Sequence, residues 1–99
     1  MDKKLLELGI KKLKELRRIE EKINSSLKLL YPEMNFFCLG KIESDYLILL
    51  KKACGDTHDW ISYFVYDCEF GKKAMKVNMP NGKTIKMKSV KDLYYVMTH

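Results

Sequence analysis

Asp59-Trp60-Ile61-Ser62-Tyr63-Phe64-Val65-Tyr66-Asp67-Cys68-Glu69-Phe70-Gly71 is the densest aromatic segment of the 99-residue chain, and it holds the only tryptophan. Its apolar residues are too numerous for one narrow stripe, which is typical of a central helix buried around most of its circumference. A buried strand is the alternative, because the run is rich in aromatic and β-branched residues. Asp56 or Thr57 can cap a helix, and Gly71 can end one. We therefore predict a third helix over about residues 58–69.

The same segment supplies a candidate recognition surface. Tyrosine and tryptophan dominate binding hot spots, and not every large side chain of the segment fits inside so small a core. We expect Trp60 and Phe64 in the core, whereas a tyrosine hydroxyl needs a polar partner or water. The residues predicted to contact a partner are Asp59, Tyr63, Tyr66, Asp67 and Glu69.

The first 30 residues are predicted to form a long amphipathic helix. Residues 2–30 carry apolar side chains at a period near 3.5, which favours a helix packed lengthwise on another helix. Tyr31-Pro32 ends it, because a residue before proline avoids the α region. The helix either covers the domain core or self-associates into a homodimer. Its seam consists of Leu6, Leu13, Leu16, Ile23, Leu27 and Leu30.

A second helix is predicted over Asp45–Cys54. Ser44 can cap its start, and Gly55 can adopt the left-handed conformation that ends a helix. Four consecutive apolar residues in its middle indicate that much of its circumference is buried. The preceding residues 33–43 include Phe36-Phe37 and fit either a short strand or a buried connection.

The apolar period changes to two over about residues 74–88, which predicts a β-hairpin. Asn81-Gly82 lies between its two halves and is a strong hairpin signal. One face carries Met, Val and Ile and must pack on the helices, because a lone hairpin is not stable. The other face is rich in lysine. Ser89-Val90-Lys91-Asp92 resembles a capping box before a short last helix, Val90–Met97.

These elements predict an α+β fold in a single domain, residues 1–99. The amphipathic helix of residues 1–30 joins a helical core with a hairpin, residues 31–99. A chain of this length can hold one modest core. The apolar fraction of 46% and the charged fraction of 32% are those of a folded globular chain.

The charge is distributed unevenly along the chain, whose formal net charge is +6. Residues 1–30 hold nine basic and five acidic residues, residues 31–70 hold three and seven, and residues 71–99 hold seven and one. The basic ends can pair with the acidic middle inside one fold, or the two signs can face different partners.

The composition also indicates a cellular compartment. No run is long and apolar enough for a membrane span, and the charged N-terminal segment is unlike a signal peptide. We therefore expect a cytoplasmic protein without membrane contact. Cys38, Cys54 and Cys68 are expected to be reduced thiols that behave as small buried hydrophobes.

The sequence contains no motif for catalysis or cofactor binding, such as G-x-S-x-G, Walker A or G-x-G-x-x-G. His58 lies near Cys54, Asp56 and Asp59. Helix capping explains these acids more simply than catalysis does, and no C-x-x-C pair supports a zinc site. We therefore expect a non-enzymatic protein with no metal and no cofactor.

Nucleic-acid binding is the alternative function. The sequence pI of about 9.2 and the two basic ends are suited to phosphate contacts. Arginine is scarce, however, and the aromatic residues lie in the acidic middle of the chain, so the sequence shows no stacking platform. The candidate phosphate contacts are Lys14, Arg17, Arg18, Lys76, Lys86 and Lys88.

Four segments of the C-terminal half form a distinctive pattern: Gly55-Asp56-Thr57-His58-Asp59-Trp60-Ile61-Ser62-Tyr63-Phe64-Val65-Tyr66, Phe70-Gly71-Lys72-Lys73, Asn81-Gly82-Lys83 and Ser89-Val90-Lys91-Asp92-Leu93-Tyr94. This pattern resembles one found in small uncharacterised phage and prophage proteins of low-GC Gram-positive bacteria. The N-terminal helix lies outside the resemblance. Asp67-Cys68-Glu69 stands where that pattern has a set such as Glu-Asn-Asp.

The resemblance implies a phage or mobile-element origin, and small phage accessory proteins often act by binding. It therefore implies a protein that binds and inhibits a host protein, such as a defence nuclease or its complex with nucleic acid, as anti-CRISPR proteins do. The alternative is a small basic nucleic-acid-binding regulator that is dimeric through its N-terminal helix.

Overall fold

The computed structural model describes residues 2–33 and 38–99. Within these residues the predicted α+β fold is confirmed: helices and one antiparallel β-hairpin follow each other in the expected order. The elements are α1 (Lys3–Leu30), α2 (Cys38–Ala53), α3 (Trp60–Ser62), a π-helical turn (Tyr63–Asp67), β1 (Met75–Asn78), β2 (Thr84–Met87) and α4 (Val90–Thr98). We call α3 and the π-helical turn together the third helix.

Helix α1 packs on the core along its first half only. It starts after Asp2, whose carboxylate accepts a hydrogen bond from the Lys4 backbone N–H at 2.9 Å. A Cβ atom on Gly9 would clash with the Leu50 side chain, so this glycine lets α1 and α2 approach closely. Ile23, on the predicted seam, is 40% exposed. The buried residues of α1 are Leu6, Gly9, Ile10 and Leu13.

Helix α2 starts earlier than predicted, at Cys38 and not at Asp45. Ser44 therefore lies inside the helix, and the prediction that it caps the start is wrong. Ser44 is exposed, and a short polar residue on a solvated helix face lowers helix stability only slightly. Of the residues left open as a strand or a connection, 38–43 are helical, whereas Phe36-Phe37 lies outside the described residues.

The end of α2 agrees with the prediction. Gly55 adopts a left-handed conformation with φ of 67°. The Asp56 N–H bonds to the Lys51 carbonyl at 2.9 Å, and the Gly55 N–H bonds to the Lys52 carbonyl at 3.2 Å. These two bonds form a Schellman motif, which satisfies the last carbonyls of the helix.

The third helix is helical and is capped by Asp56, as predicted, but it starts later than expected. It begins at Trp60, after Asp59 in a left-handed conformation with φ of 60°. The Asp59 side chain makes no capping bond. The Asp56 carboxylate instead accepts hydrogen bonds from the N–H groups of Trp60 at 3.0 Å and Ile61 at 2.8 Å.

A π-helical turn replaces the predicted α-helical end of this segment. The Cys68 N–H bonds to the Tyr63 carbonyl at 3.0 Å, five residues earlier, so this turn holds one residue more than an α-helical turn. Glu69, Phe70 and Gly71 then all have positive φ. A Cβ atom on Gly71 would clash with the Lys88 carbonyl oxygen, so only glycine fits where the chain reaches the hairpin.

The β-hairpin and α4 form as predicted. The strands pair Met75 with Met87 and Val77 with Ile85, and these side chains are buried or half-buried on the inward face. Gly82, with φ of 84°, closes a three-residue loop. The side chains of Ser89 and Asp92 form the predicted capping box of α4.

One hydrophobic cluster joins all of these elements. The buried apolar residues are Leu6, Ile10, Leu13, Leu47, Leu50, Cys54, Ile61, Phe64, Val65, Cys68, Val77, Met79, Met87, Leu93 and Val96.

The long α1 makes the molecule elongated, with principal extents of 53 × 24 × 18 Å. Among the described helices, none has both the length and the apolar character needed to cross a membrane.

Candidate functional site

All five residues predicted to contact a partner are exposed on the third helix and at its two ends. We call this surface the tyrosine face; it consists of Asp59, Tyr63, Tyr66, Asp67 and Glu69. Tyr63 is 39% exposed and Tyr66 is 51% exposed. The two rings thus lie at the surface of a helix whose opposite side is fully buried.

The buried side of the third helix fixes the orientation of the tyrosine face. Ile61, Phe64, Val65 and Cys68 are each no more than 1% exposed, so the helix cannot rotate without opening the core. The Tyr63 ring also packs on the half-buried Trp60 ring, with the ring centroids 5.7 Å apart. This contact holds an exposed aromatic ring in place before any partner binds.

The tyrosine face carries mixed charge, although its three charged residues are all acidic. Asp59 pairs with Lys51, and Glu69 pairs with Lys73 at 3.0 Å. Asp67 makes no ion pair with another described residue. Exposed ion pairs add little stability, but they place cations beside two of the three carboxylates. Asp67 is therefore the carboxylate best placed to meet a cation of a partner.

A second surface lies where α1 passes over the end of the third helix. We call it the basic groove; it has a volume of about 220 Å³. Three of its residues, on α1, were predicted to contact phosphates, and two others follow the third helix in the sequence. The groove is lined by Lys14, Arg17, Arg18, Glu21, Phe70 and Lys72.

The basic groove brings cations and aromatic rings together. The Arg17 guanidinium lies over the Phe70 ring at 4.7 Å and over the Tyr66 ring at 5.7 Å, measured to the ring centroids. The Lys14 ammonium lies 5.5 Å from the Phe70 centroid. Phe70 and Tyr66 belong to the acidic middle of the sequence, but the fold places them against basic residues of α1. Residues far apart in the sequence meet here as cation–π pairs.

Arg17 is held in position by a buried carboxylate. Its Nε donates to Glu43 Oε1 at 3.0 Å, and its Nη2 donates to the same oxygen. Glu43 is only 8% exposed, so loss of Arg17 would leave a buried charge unpaired. Burial raises the pKa of the neighbouring Glu20 carboxyl, and the nearby Glu43 carboxylate raises it further.

The predicted hairpin lysines are not part of the lining of the basic groove. Lys76 and Lys86 are exposed and directly opposite each other on the paired strands, where like charges disfavour pairing. Lys88 follows, and its carbonyl lies close to Gly71, next to Lys72. The structure thus divides the predicted phosphate contacts into an α1 group in the basic groove and a hairpin group beyond it.

Two residues of the basic groove, Phe70 and Lys72, were missed by sequence reasoning. Both belong to the Phe70-Gly71-Lys72-Lys73 segment, and neither was among the predicted contact residues. Glycine in this segment signals a sharp turn. The sequence gives no direct sign that this turn lies under Arg17.

The cysteine and histidine residues are not arranged for shared chemistry. Cys54 and Cys68 are buried free thiols, as predicted, and burial raises the pKa of both. His58 is exposed, and the Asp56 carboxylate is occupied as a helix cap. Over the described part of the chain, no three His, Cys, Asp or Glu residues are grouped to hold a metal.

Comparison with known proteins adds no family. No family model, no curated protein and no solved structure matches this chain.

Proposed function

We propose that this protein is a non-enzymatic binding protein and that its tyrosine face contacts another protein. The observation that carries the proposal is the exposure of Tyr63 and Tyr66 on a helix whose other side is fully buried. Exposed aromatic rings on a rigid element supply contact area with little loss of conformational entropy on binding. Tyrosine is also enriched among the residues that dominate interface energies.

The residues of the tyrosine face indicate what kind of partner surface would fit it. The Tyr63 and Tyr66 rings suit an apolar pocket with a polar rim, because each ring ends in a hydroxyl. Asp67 suits a lysine or arginine beside that pocket. Asp59 and Glu69 already have cations as neighbours and are expected to contribute less than Asp67.

We further propose that the partner is a host protein of a low-GC Gram-positive bacterium, such as a defence nuclease or its complex with nucleic acid. The resemblance to phage and prophage proteins supports this choice. Inhibition would follow from occupying a surface that the nuclease needs, as for anti-CRISPR proteins.

Capture of a partner tests the proposal. Immobilised wild-type protein should retain one dominant protein from a lysate of such a bacterium, and mass spectrometry then identifies it. Asp67→Lys should reduce the captured amount at least about tenfold, because it reverses the charge of the carboxylate that has no ion pair with another described residue. Its circular dichroism spectrum should match the wild-type spectrum.

Lys86→Gln is the matched control, because it changes one exposed charge on the hairpin and leaves the tyrosine face intact. It should capture the same partner as the wild type. If Asp67→Lys also captures that partner in wild-type amount, the proposed binding face is wrong.

A further inference from the structure

We propose that the basic groove is a binding site for a phosphate group, carried by a nucleotide or a nucleic-acid backbone or present as free phosphate. The site lies beside the tyrosine face and does not depend on the function proposed for that face. Four cationic side chains and one carboxylate line the groove, so its formal charge is strongly positive.

Three of these cations have no anionic partner in the described structure. Lys14, Arg18 and Lys72 take part in none of its ion pairs. They come from two segments, α1 and the turn after the third helix, so they converge on the groove from two sides. Glu21 is the one acidic residue in the lining and does not balance them. Such a concentration of unpaired positive charge favours a polyvalent anion.

The fourth cation, Arg17, is preorganised. A guanidinium has five N–H donors in a fixed plane, and two of them bond to Glu43. The Phe70 ring lies against the guanidinium, whose carbon is 4.7 Å from the ring centroid. The other N–H groups have no acceptor in the described structure and can donate to a phosphate oxygen without ordering of the side chain.

The floor of the groove carries backbone strain. Phe70 has a φ of 57°, a left-handed conformation that is unusual for a bulky residue. Its ring packs edge-on against the buried Phe64 ring, with the centroids 6.4 Å apart. Strained residues persist where surrounding contacts hold them, and they cluster at binding sites. Here the strain places the Phe70 ring under Arg17 and Lys14.

The dimensions suit a phosphate group. One water molecule occupies about 30 Å³ in the liquid, so the groove of about 220 Å³ has space for a phosphate group with part of its hydration shell. A stacked base would need a free face of an aromatic ring, whereas the Phe70 ring has Arg17 and Lys14 over it. We therefore assign recognition to the phosphate group and not to a stacked base.

Two probes test the site at low salt. Inorganic phosphate is titrated into ¹⁵N-labelled full-length protein, and the backbone amide signals of Phe70 and Lys72 should shift more than those of the hairpin. A fluorescent DNA duplex is titrated in parallel, and its affinity should fall with added salt. Lys72→Gln should reduce the phosphate-induced shifts. It should also lower the magnitude of the duplex salt slope by about 1, as expected for one lost phosphate contact.

Lys86→Gln is again the matched control, because Lys86 is exposed and does not line the basic groove. The site is supported if at least one of the two probes binds and Lys72→Gln weakens that binding more than Lys86→Gln does. Binding of the duplex alone identifies the ligand as a phosphodiester backbone, and binding of phosphate alone identifies it as a free phosphate or a nucleotide. The proposal is overturned if neither probe binds at low salt, or if the two variants have equal effects.

Discussion

The two sides of the third helix have opposite roles, although their residues alternate in the sequence. On one side, Phe64 and Val65 are no more than 1% exposed and lie in the hydrophobic cluster. On the other side, Tyr63 and Tyr66 project from the same helical turns into solvent. One short segment therefore supplies both the centre of the core and a candidate binding surface. Changes on the two sides should affect different measurements.

The largest expected effect is on the buried side. Phe64→Ala should lower the free energy of unfolding by about 3–5 kcal/mol, because it removes a fully buried ring and leaves a cavity. Urea denaturation measures this loss. Tyr63→Ala is the comparison variant and should cost less than about 1 kcal/mol, since Tyr63 is an exposed residue. Equal losses for the two variants would contradict the assignment of the two sides.

A smaller loss is expected at the end of the third helix. Gly71→Ala should cost about 2 kcal/mol or more, because its Cβ would clash with the Lys88 carbonyl oxygen and its φ is 91°. Gly55→Ala is the control: its φ is also positive, but nothing lies within 4 Å of the added Cβ. Thermal unfolding of both proteins separates the clash from the backbone strain. If Gly55→Ala and Gly71→Ala lower the stability equally, the clash between the added Cβ of residue 71 and the Lys88 carbonyl oxygen must be relieved.

The start of the third helix should give the smallest change in stability. Asp56→Ala should cost about 1 kcal/mol, because the Asp56 carboxylate accepts bonds from two helix N–H groups. Asp59→Asn should lower the free energy of unfolding by only about a few tenths of 1 kcal/mol, since the Asp59 side chain makes no capping bond and asparagine tolerates a left-handed conformation. The reverse order in urea denaturation would mean that Asp59 is the functional cap.

The sequence predicted the third helix well because its existence depends on local composition, whereas its exact ends depend on contacts across a loop. The Asp56 cap acts over four and five residues, past a left-handed Asp59, and no simple capping pattern describes this. The π-helical turn has no sequence signature at all. The early start of α2 was missed because Ser44 resembles a cap while lying on an exposed helix face.

The two candidate surfaces also differ in how far local sequence could predict them. The tyrosine face could be predicted because the excess of large aromatic side chains over core space is visible in the composition. The basic groove could be predicted only in part, through Lys14, Arg17 and Arg18. The contribution of Phe70 and Lys72 depends on where α1 crosses the end of the third helix, and such a long-range contact leaves no periodic signal in the sequence.

The affinity of the purified, captured partner for wild-type protein and for Tyr63→Ala tests the central claim most directly. Isothermal titration calorimetry at a temperature where both proteins are folded gives the two dissociation constants. We predict that Tyr63→Ala binds at least about tenfold more weakly, as expected for an aromatic hot-spot residue, while Lys86→Gln binds like the wild type. Equal affinity of Tyr63→Ala and wild type would contradict the claim that the exposed side of the third helix binds the partner.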